Sequence, residues 1–383
     1  MSPTAVSEPA WLAGRRRAAR DTYAALPVPS NREEAWRYTN LRGFDPDAFA
    51  IEPLALTLAG DAPHGVTFTG LAASIETHGD LLERHLGSVV SDDEKFASAN
   101  QANWTDGVLL HVPAGVEVEA PLRAQVELSG EGVAQHYRAL IVLERGARAT
   151  FTEEFLTGFP GYLNVVVELV IGEGARLEYV TVQRNHREAR QFGTHRAVVE
   201  RDAELDWVAI GLGGARAKSR MESKLAGPGS TVKVTGAYLL GDGEHADYDT
   251  TQEHAAPNTT SDLFFKGVLD DSARAVWRGV IRVDRGAQRT DAYQENRNLL
   301  LSAKAHADSI PGLEIEANDV RCTHGATVGQ IDKQQLFYLM SRGMPREQAE
   351  QLIVRGFFQP VLDRIGSEEV RETLSAALDA RLA

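Results

Sequence analysis

A single cysteine, Cys322, stands among 383 residues. One thiol excludes a disulfide framework and a self-contained four-thiolate metal site, so any metal chemistry must draw most of its ligands from elsewhere. Long apolar runs are also missing. The stretch Leu163 to Ile171 is broken by Asn164 and Glu168 and falls far short of the ~20 residues of a membrane span. Arg15, Arg16, Arg17 and Arg20 lie near the start, but no apolar segment follows them as a secretion signal requires, so a cytoplasmic location is expected. Positive charge is the minority sign. Forty basic against 54 acidic side chains leave a net charge of −14, which repels phosphate backbones and argues against nucleic acid as a partner. Nucleotide loops are absent too. There is no Gly-x-x-x-x-Gly-Lys-Ser/Thr, no His-Glu-x-x-His and no Gly-x-Ser-x-Gly, and Gly211-Leu212-Gly213-Gly214 lacks dinucleotide-loop spacing. The chain is expected not to be an enzyme by itself.

What is present is a repeat. Gly146-Ala147-Arg148, Gly174-Ala175-Arg176, Asp202-Ala203-Glu204 and Gly229-Ser230-Thr231 begin 28, 28 and 27 residues apart. Each is a tight turn opening an alternating strand, as in Arg176-Leu177-Glu178-Tyr179-Val180. Further strands are predicted at 137–143, 163–171, 194–199, 262–269, 275–283 and 298–301. Strand, turn, strand and longer loop at a near-constant period predict a stacked β solenoid, with an evenly spaced β-sandwich as the alternative. The first hundred residues read as helices and loops, with helices at Ala10 to Ala25 and near Gly79 to Leu86. Towards the end, Asp332 and Gln335 fit a capping box and Gly343 closes the helix they open. A second helix opens near Pro345, and Pro360 should kink or end it; Ser367 suits the cap of a last one. These readings divide the chain into a helical region 1–105, a β core 106–325 and a helical region 326–383. Because an open rung exposes unpaired strand groups, the two helical regions are expected to cap the solenoid.

Two groups of residues could carry chemistry. In Cys322-Thr323-His324 an extended backbone points residues i and i+2 to one side, so thiol and imidazole could share a metal, and Arg321 would favour the thiolate. The bland alternative is a small buried hydrophobe beside a structural histidine. Asp242, Glu244, His245, Asp247, Asp249, Glu253 and His254 could likewise ligate a metal, although a solvated acidic turn fits their spacing better.

Several segments, taken in order, are similar to the SufB/SufD family of iron–sulfur cluster assembly scaffolds. They are Glu34-Ala35-Trp36-Arg37-Tyr38-Thr39, then His245, Asp247 and Glu253-His254, then Thr290-Asp291-Ala292-Tyr293-Gln294-Glu295-Asn296-Arg297-Asn298-Leu299-Leu300-Leu301-Ser302. Val320-Arg321-Cys322-Thr323-His324-Gly325-Ala326-Thr327-Val328-Gly329-Gln330 and Ser341-Arg342-Gly343 complete the match. The specific part spans about residues 240–365, and no firm family motif is visible in residues 50–130. The Cys-x-His-Gly form and the lone cysteine resemble the SufD side of the family. The resemblance implies a right-handed parallel β-helix core with α-helical N- and C-terminal regions. It also implies a SufB-like scaffold partner and a SufC-like ATPase docked on the C-terminal helices. His324, with Cys322 beside it, would then lie where a transient iron–sulfur cluster forms, shared with the partner and not bound tightly by this chain alone. Isolated, the chain is expected to form a homodimer.

The helix after Pro345 carries two apolar stripes. Ala349, Leu352, Ile353, Gly356 and Phe357 form the one assigned to the core. Val354, Phe358 and Leu362, with Arg355 and Phe357 nearby, form the one assigned to the ATPase. Two other readings stand beside this one: a β-helix enzyme acting on polysaccharide, which needs paired carboxylates on one rung, and a purely structural scaffold without a metal role.

Overall fold

Six successive rungs of the structure, a computed structural model describing residues 8–128 and 130–382, turn a corner on a left-handed residue followed by a small buried one. The left-handed positions are Gly146, Gly174, Asp202, Gly229, Asn258 and Arg289, and the buried followers are Ala147, Ala175, Ala203, Ser230, Thr259 and Thr290. Glycine fits a positive φ without strain, and Asp and Asn tolerate it. The small follower lets successive corners stack, and corner bonds such as Gly146 N–H to the Glu173 carbonyl (2.8 Å) join one rung to the next. From Ser230 on, each follower's hydroxyl also donates back to its own turn, to the carbonyls of Gly227, Ala256 and Ala287. The Gly-Ala repeat is therefore the repeat of the fold, and its last two copies were hidden because Asn258 and Arg289 replace glycine.

Strands on either side of these corners form two parallel sheets. One runs from Asp106–Val112 through Tyr162–Ile171 and His245–His254 to His306–Ile315. The other runs from Leu122–Leu128 through Arg176–Asn185 to Arg321–Gln330. Inward side chains of both fill a continuous lumen that includes Leu110, Ile141, Val167, Phe151, Tyr179, Trp207 and Trp277. The fold is thus mainly β, a β solenoid with helices at both ends of the chain, and not a sandwich. Strands begin earlier than their apolar runs suggest, at Val133, Tyr162 and Arg190, because outward-facing polar residues alternate with core ones.

The first rung is sealed. Ala55–Ala59 and Thr67–Gly70, in a region read from sequence as helices and loops, pair antiparallel with Leu122–Leu128 and Asp106–Val112 and occupy both starting edges. Helices Ala10–Ala25 and Lys95–Asn103 pack on each other over the outer face of the first sheet, beside Leu109, Leu140, Val142 and Val166, and Lys95 Nζ donates to the carbonyls of Tyr23 and Leu26 at the end of the first helix.

The C-terminal helices do not cap the other end. Lys333–Ser341 starts on Asp332, whose carboxylate accepts the Gln334 amide at 2.8 Å, and Gly343 follows with φ of 91°. Arg346–Leu362 then lies along the flank of the second sheet, with Pro360 in its last turn, and Glu368–Leu382 follows. Ala349, Val354, Phe358 and Val361 are its buried face; the last three pack with Val208, Ile210, Ala237, Leu239, Phe264 and Val268. These strands bury both faces, one in the lumen and one under the helix, so they read as near-continuous apolar runs. The strand Arg321–Gln330 crosses the boundary drawn at residue 325.

Candidate functional site

The two terminal strands each have a neighbour on one side only. Arg321–Gln330 pairs with Asp291–Leu300, aligning Cys322 with Ala292, His324 with Gln294, Ala326 with Asn296 and Val328 with Asn298. All four lower residues are buried in the lumen. Parallel in-register stacking points aligned residues the same way, so Cys322, His324, Ala326 and Val328 belong to the lumen-facing set. On the facing sheet, Ala307, Ser309, Leu313 and Ile315 stand over buried Ala275, Trp277, Ile281 and Val283. Among the described residues no further rung covers them. Leu313, Ile315 and Val328 are therefore 37%, 41% and 43% exposed, although their counterparts one rung down are core. Two strand edges and the apolar mouth of the lumen meet solvent together.

Cys322 is half-buried beside Ala287, Ile281 and Val320, while His324 is exposed. Burial, and then the nearby Asp291 charge, push the thiol above its ordinary value. Arg321 does not promote the thiolate as expected: its guanidinium is engaged by Asp291, with Nε 3.2 Å from Oδ1. Among the described residues no group of three or more His, Cys, Asp or Glu is placed to hold a metal ion. The rim offers one sulfur and one imidazole, and the rest of any ligand set must come from whatever covers it.

Beneath the rim lies a layer of buried amides that sequence reasoning missed. Ser309 Oγ donates to Asn296 Oδ1 (2.8 Å), as does Asn298 Nδ2 (2.6 Å), and the Tyr238 hydroxyl donates to Asn298 Oδ1 (2.5 Å). Gln294 Nε2 reaches the carbonyls of Gly279 and Gly312, both at 3.1 Å. Buried polar groups must be satisfied, and this network largely does so across the lumen. The available signal was period-two alternation of Gln294, Asn296 and Asn298 with Tyr293, Glu295 and Arg297; without apolar residues it did not read as an inward face.

The acidic segment is not a solvated turn. His245, Asp247, Asp249 and His254 are buried on one strand of the first sheet. Thr39, more than 200 residues away in sequence, donates to Asp247 and lies 3.0 Å from His245 Nε2, and Lys218 Nζ pairs with Asp247 at 2.8 Å. Two segments noted separately in the sequence are therefore one lock, which fastens the N-terminal strap to the solenoid. Burial, with Arg216, Lys218 and Arg274 nearby, pushes His245 down to about 3, and burial pushes His254 down to about 4. His254 is spoken for by Thr259 and Ser261.

The C-terminal partner residues also divide differently from expectation. Val354 and Phe358 are sealed against the solenoid flank, so they are core and not a free face; Phe357 and Leu362 are half-buried. Arg355 is exposed and pairs with Asp379 at 3.0 Å. Leu352, placed in the core stripe from sequence, is 47% exposed, and Phe337, Tyr338 and Met340 of the preceding helix are exposed with it.

A family model described as SUF system FeS cluster assembly, SufBD core domain, matches residues 126–357. A second, the SufBD protein N-terminal region, matches 54–124, where the sequence reading found no firm motif. Among characterised proteins, the chain is 28% identical to the iron–sulfur cluster assembly protein SufD of Bacillus subtilis, over 98% of this chain and 95% of that protein. It is 30% identical to SufB of the same organism, over 79% of this chain and 66% of that protein. An iron–sulfur cluster assembly SufBD family protein of Mycobacterium tuberculosis is 31% identical, over 94% and 90%. No helix of the described residues is long and apolar enough to cross a membrane.

Proposed function

The chain belongs to the SufBD family of the SUF iron–sulfur cluster assembly system, and from that premise we propose that it is a non-catalytic subunit of a SufBCD-type complex. Its last rung docks a SufB-like scaffold subunit, and a transient cluster is built at the shared interface beside Cys322 and His324. The cluster is cargo there. The observation that carries this reading is the uncovered terminal rung, where core-type Leu313, Ile315 and Val328 stand in solvent next to the thiol and imidazole. Such an edge demands a partner strand or a cover. A second copy of this chain is the substitute cover when it is alone, giving a homodimer. One sulfur and one nitrogen are too few for a cluster, which favours a divided ligand set over a private one.

ATP hydrolysis belongs to a SufC-like subunit docked on the C-terminal helices. With Val354 and Phe358 occupied by the chain's own packing, the docking face is the exposed set Phe337, Tyr338, Met340 and Leu352, with Arg355 at its edge. The test is co-expression with the two other subunits, followed by reconstitution with iron and sulfide. His324→Ala should leave the subunits associated but slow the rise of cluster absorbance, with Cys322→Ser milder; a normal rate in His324→Ala overturns the site. Phe337→Asp should release the ATPase subunit with circular dichroism unchanged; undiminished co-purification overturns the docking face.

A further inference from the structure

The outer face of the first sheet presents columns of side chains, one residue per rung, about 4.8 Å apart along the solenoid. Away from the corner where these strands begin, which is opposite the corner of the Gly146–Arg289 turns, its cations have carboxylates: Lys218 pairs with Asp247, Arg278 with Asp249, Lys224 with Glu253, Arg282 with Glu314, and Arg196 and Arg220 with Glu222. The corner column differs. It reads Arg190, Arg216, His245, Arg274 and His306 over five successive rungs.

Among the described residues, Arg190, Arg216 and Arg274 make no ion pair with a carboxylate. Arg190 lies over the Phe44 ring at 5.5 Å, and Arg216 donates to the Ala215 carbonyl. His245, between Arg216 and Arg274, is buried and supplies no counter-charge. Like charges on neighbouring strands repel. Arg216 is half-buried as well; burial first, and Arg190 and Arg274 after it, hold its guanidinium below the ordinary value. Although Arg190 and Arg216 also make contacts within the fold, three arginines in line without carboxylate partners leave positive charge uncompensated on this column, in a chain of net charge −14. They suit an anion arriving from outside.

We propose that the Arg190–Arg216–Arg274 column is a docking strip for an acidic polypeptide segment of a partner protein. The guanidiniums are spread over three rung steps, roughly 15 Å along the axis, instead of converging on one point. That layout suits a string of carboxylates better than a single phosphate group, and the chain's net acidity opposes nucleic acid. The strip lies apart from Cys322 and His324 and does not depend on the assembly reading.

The experiment uses the full chain and a fluorescein-labelled ten-residue glutamate peptide, followed by anisotropy at low salt. The triple variant R190Q/R216Q/R274Q should weaken binding by about tenfold, while R282Q, on the same face but ion-paired, should not. R216K should retain most of the binding. Because R216Q removes repulsion, its melting temperature should hold or rise. Equal binding by the triple variant and the native chain overturns the proposal, as does equal loss in R282Q, which would indicate diffuse electrostatics. Displacement of the peptide by millimolar inorganic phosphate would assign the strip to a phosphate group and also overturn it. A sharp fall in melting temperature for R216Q would make the column structural.

Discussion

The two ends of the solenoid solve the same problem in opposite ways. At the first rung, antiparallel strands Ala55–Ala59 and Thr67–Gly70 take up both edges, while the N-terminal helices lie over the outer face of the first sheet. At the last, His306–Ile315 and Arg321–Gln330 end in open edges, and the helices that follow lie along the flank. Polar groups follow the same division. The closed end buries an ion pair, Arg138 with Glu168 at 2.7 Å, and Glu168 also accepts the amides of Gly87, Val89 and Val90. The open end places its Arg321–Asp291 pair in solvent. The chain thus seals one end with its own strands and leaves the strand edges of the other open.

Breaking the closed end should have the largest effect. Glu168→Ala strands the buried Arg138 charge and frees three loop amides, a loss of about 3–5 kcal/mol. Chemical denaturation measures it, and the matching Asp291→Ala at the open end should change stability little. Comparable losses at both ends would erase the contrast.

Next in size is a pH effect within the closed rungs. Glu153 points into the lumen, buried, with the hydroxyls of Tyr137 and Tyr179 donating to its carboxylate. Burial raises its pKa from 4.5 to about 7, and the two hydroxyls only partly oppose this. Between those values the folded state holds a proton that the unfolded state has released, so Glu153 makes stability fall as pH rises from 4.5 to about 7. The neutral buried histidines His136, His195 and His254, lowered to about 4, and His245, lowered to about 3, act oppositely, losing stability as pH drops below 6.5. Comparing Glu153→Gln with the native chain isolates the carboxyl. Relative to native, the variant should gain up to about 3 kcal/mol between pH 5 and pH 8. A difference independent of pH would mean that Glu153 is ionised throughout.

Much of this was legible because a solenoid writes its period into the chain. The turns at Gly146, Gly174, Asp202 and Gly229 and the i, i+2 placement of Cys322 and His324 both appear in the structure as read. Contacts between distant segments left no comparable trace: nothing in Thr39 announces Asp247. The helix stripes failed for a different reason. Val354–Phe358 and Leu352–Ile353 are equally apolar, and only the doubly buried strands around Val208–Ile210 and Ala237–Leu239 reveal which stripe has a surface waiting for it. The cap expectation failed with it, since a helix drawn to that flank cannot also cover the last rung.

The smallest effect on the fold should come from charging the open mouth, and it sharpens the comparison most. Ile315 and Val328 are already 41% and 43% exposed, so Ile315→Lys and Val328→Asp disturb much less buried area than a core change and should shift stability by no more than about 1 kcal/mol. One rung down, Val283 and Asn298 occupy the same columns and are buried, so Val283→Lys should unfold the chain or cost several kcal/mol. Association should show the reverse ranking. A lysine at the mouth must be desolvated by any cover, whether a SufB-like subunit or a second copy. Size-exclusion chromatography with light scattering should therefore find Ile315→Lys monomeric when alone and unbound to the scaffold subunit in co-expression, with a native melting curve. If it still assembles, the partner docks elsewhere and the last rung is open for some other reason.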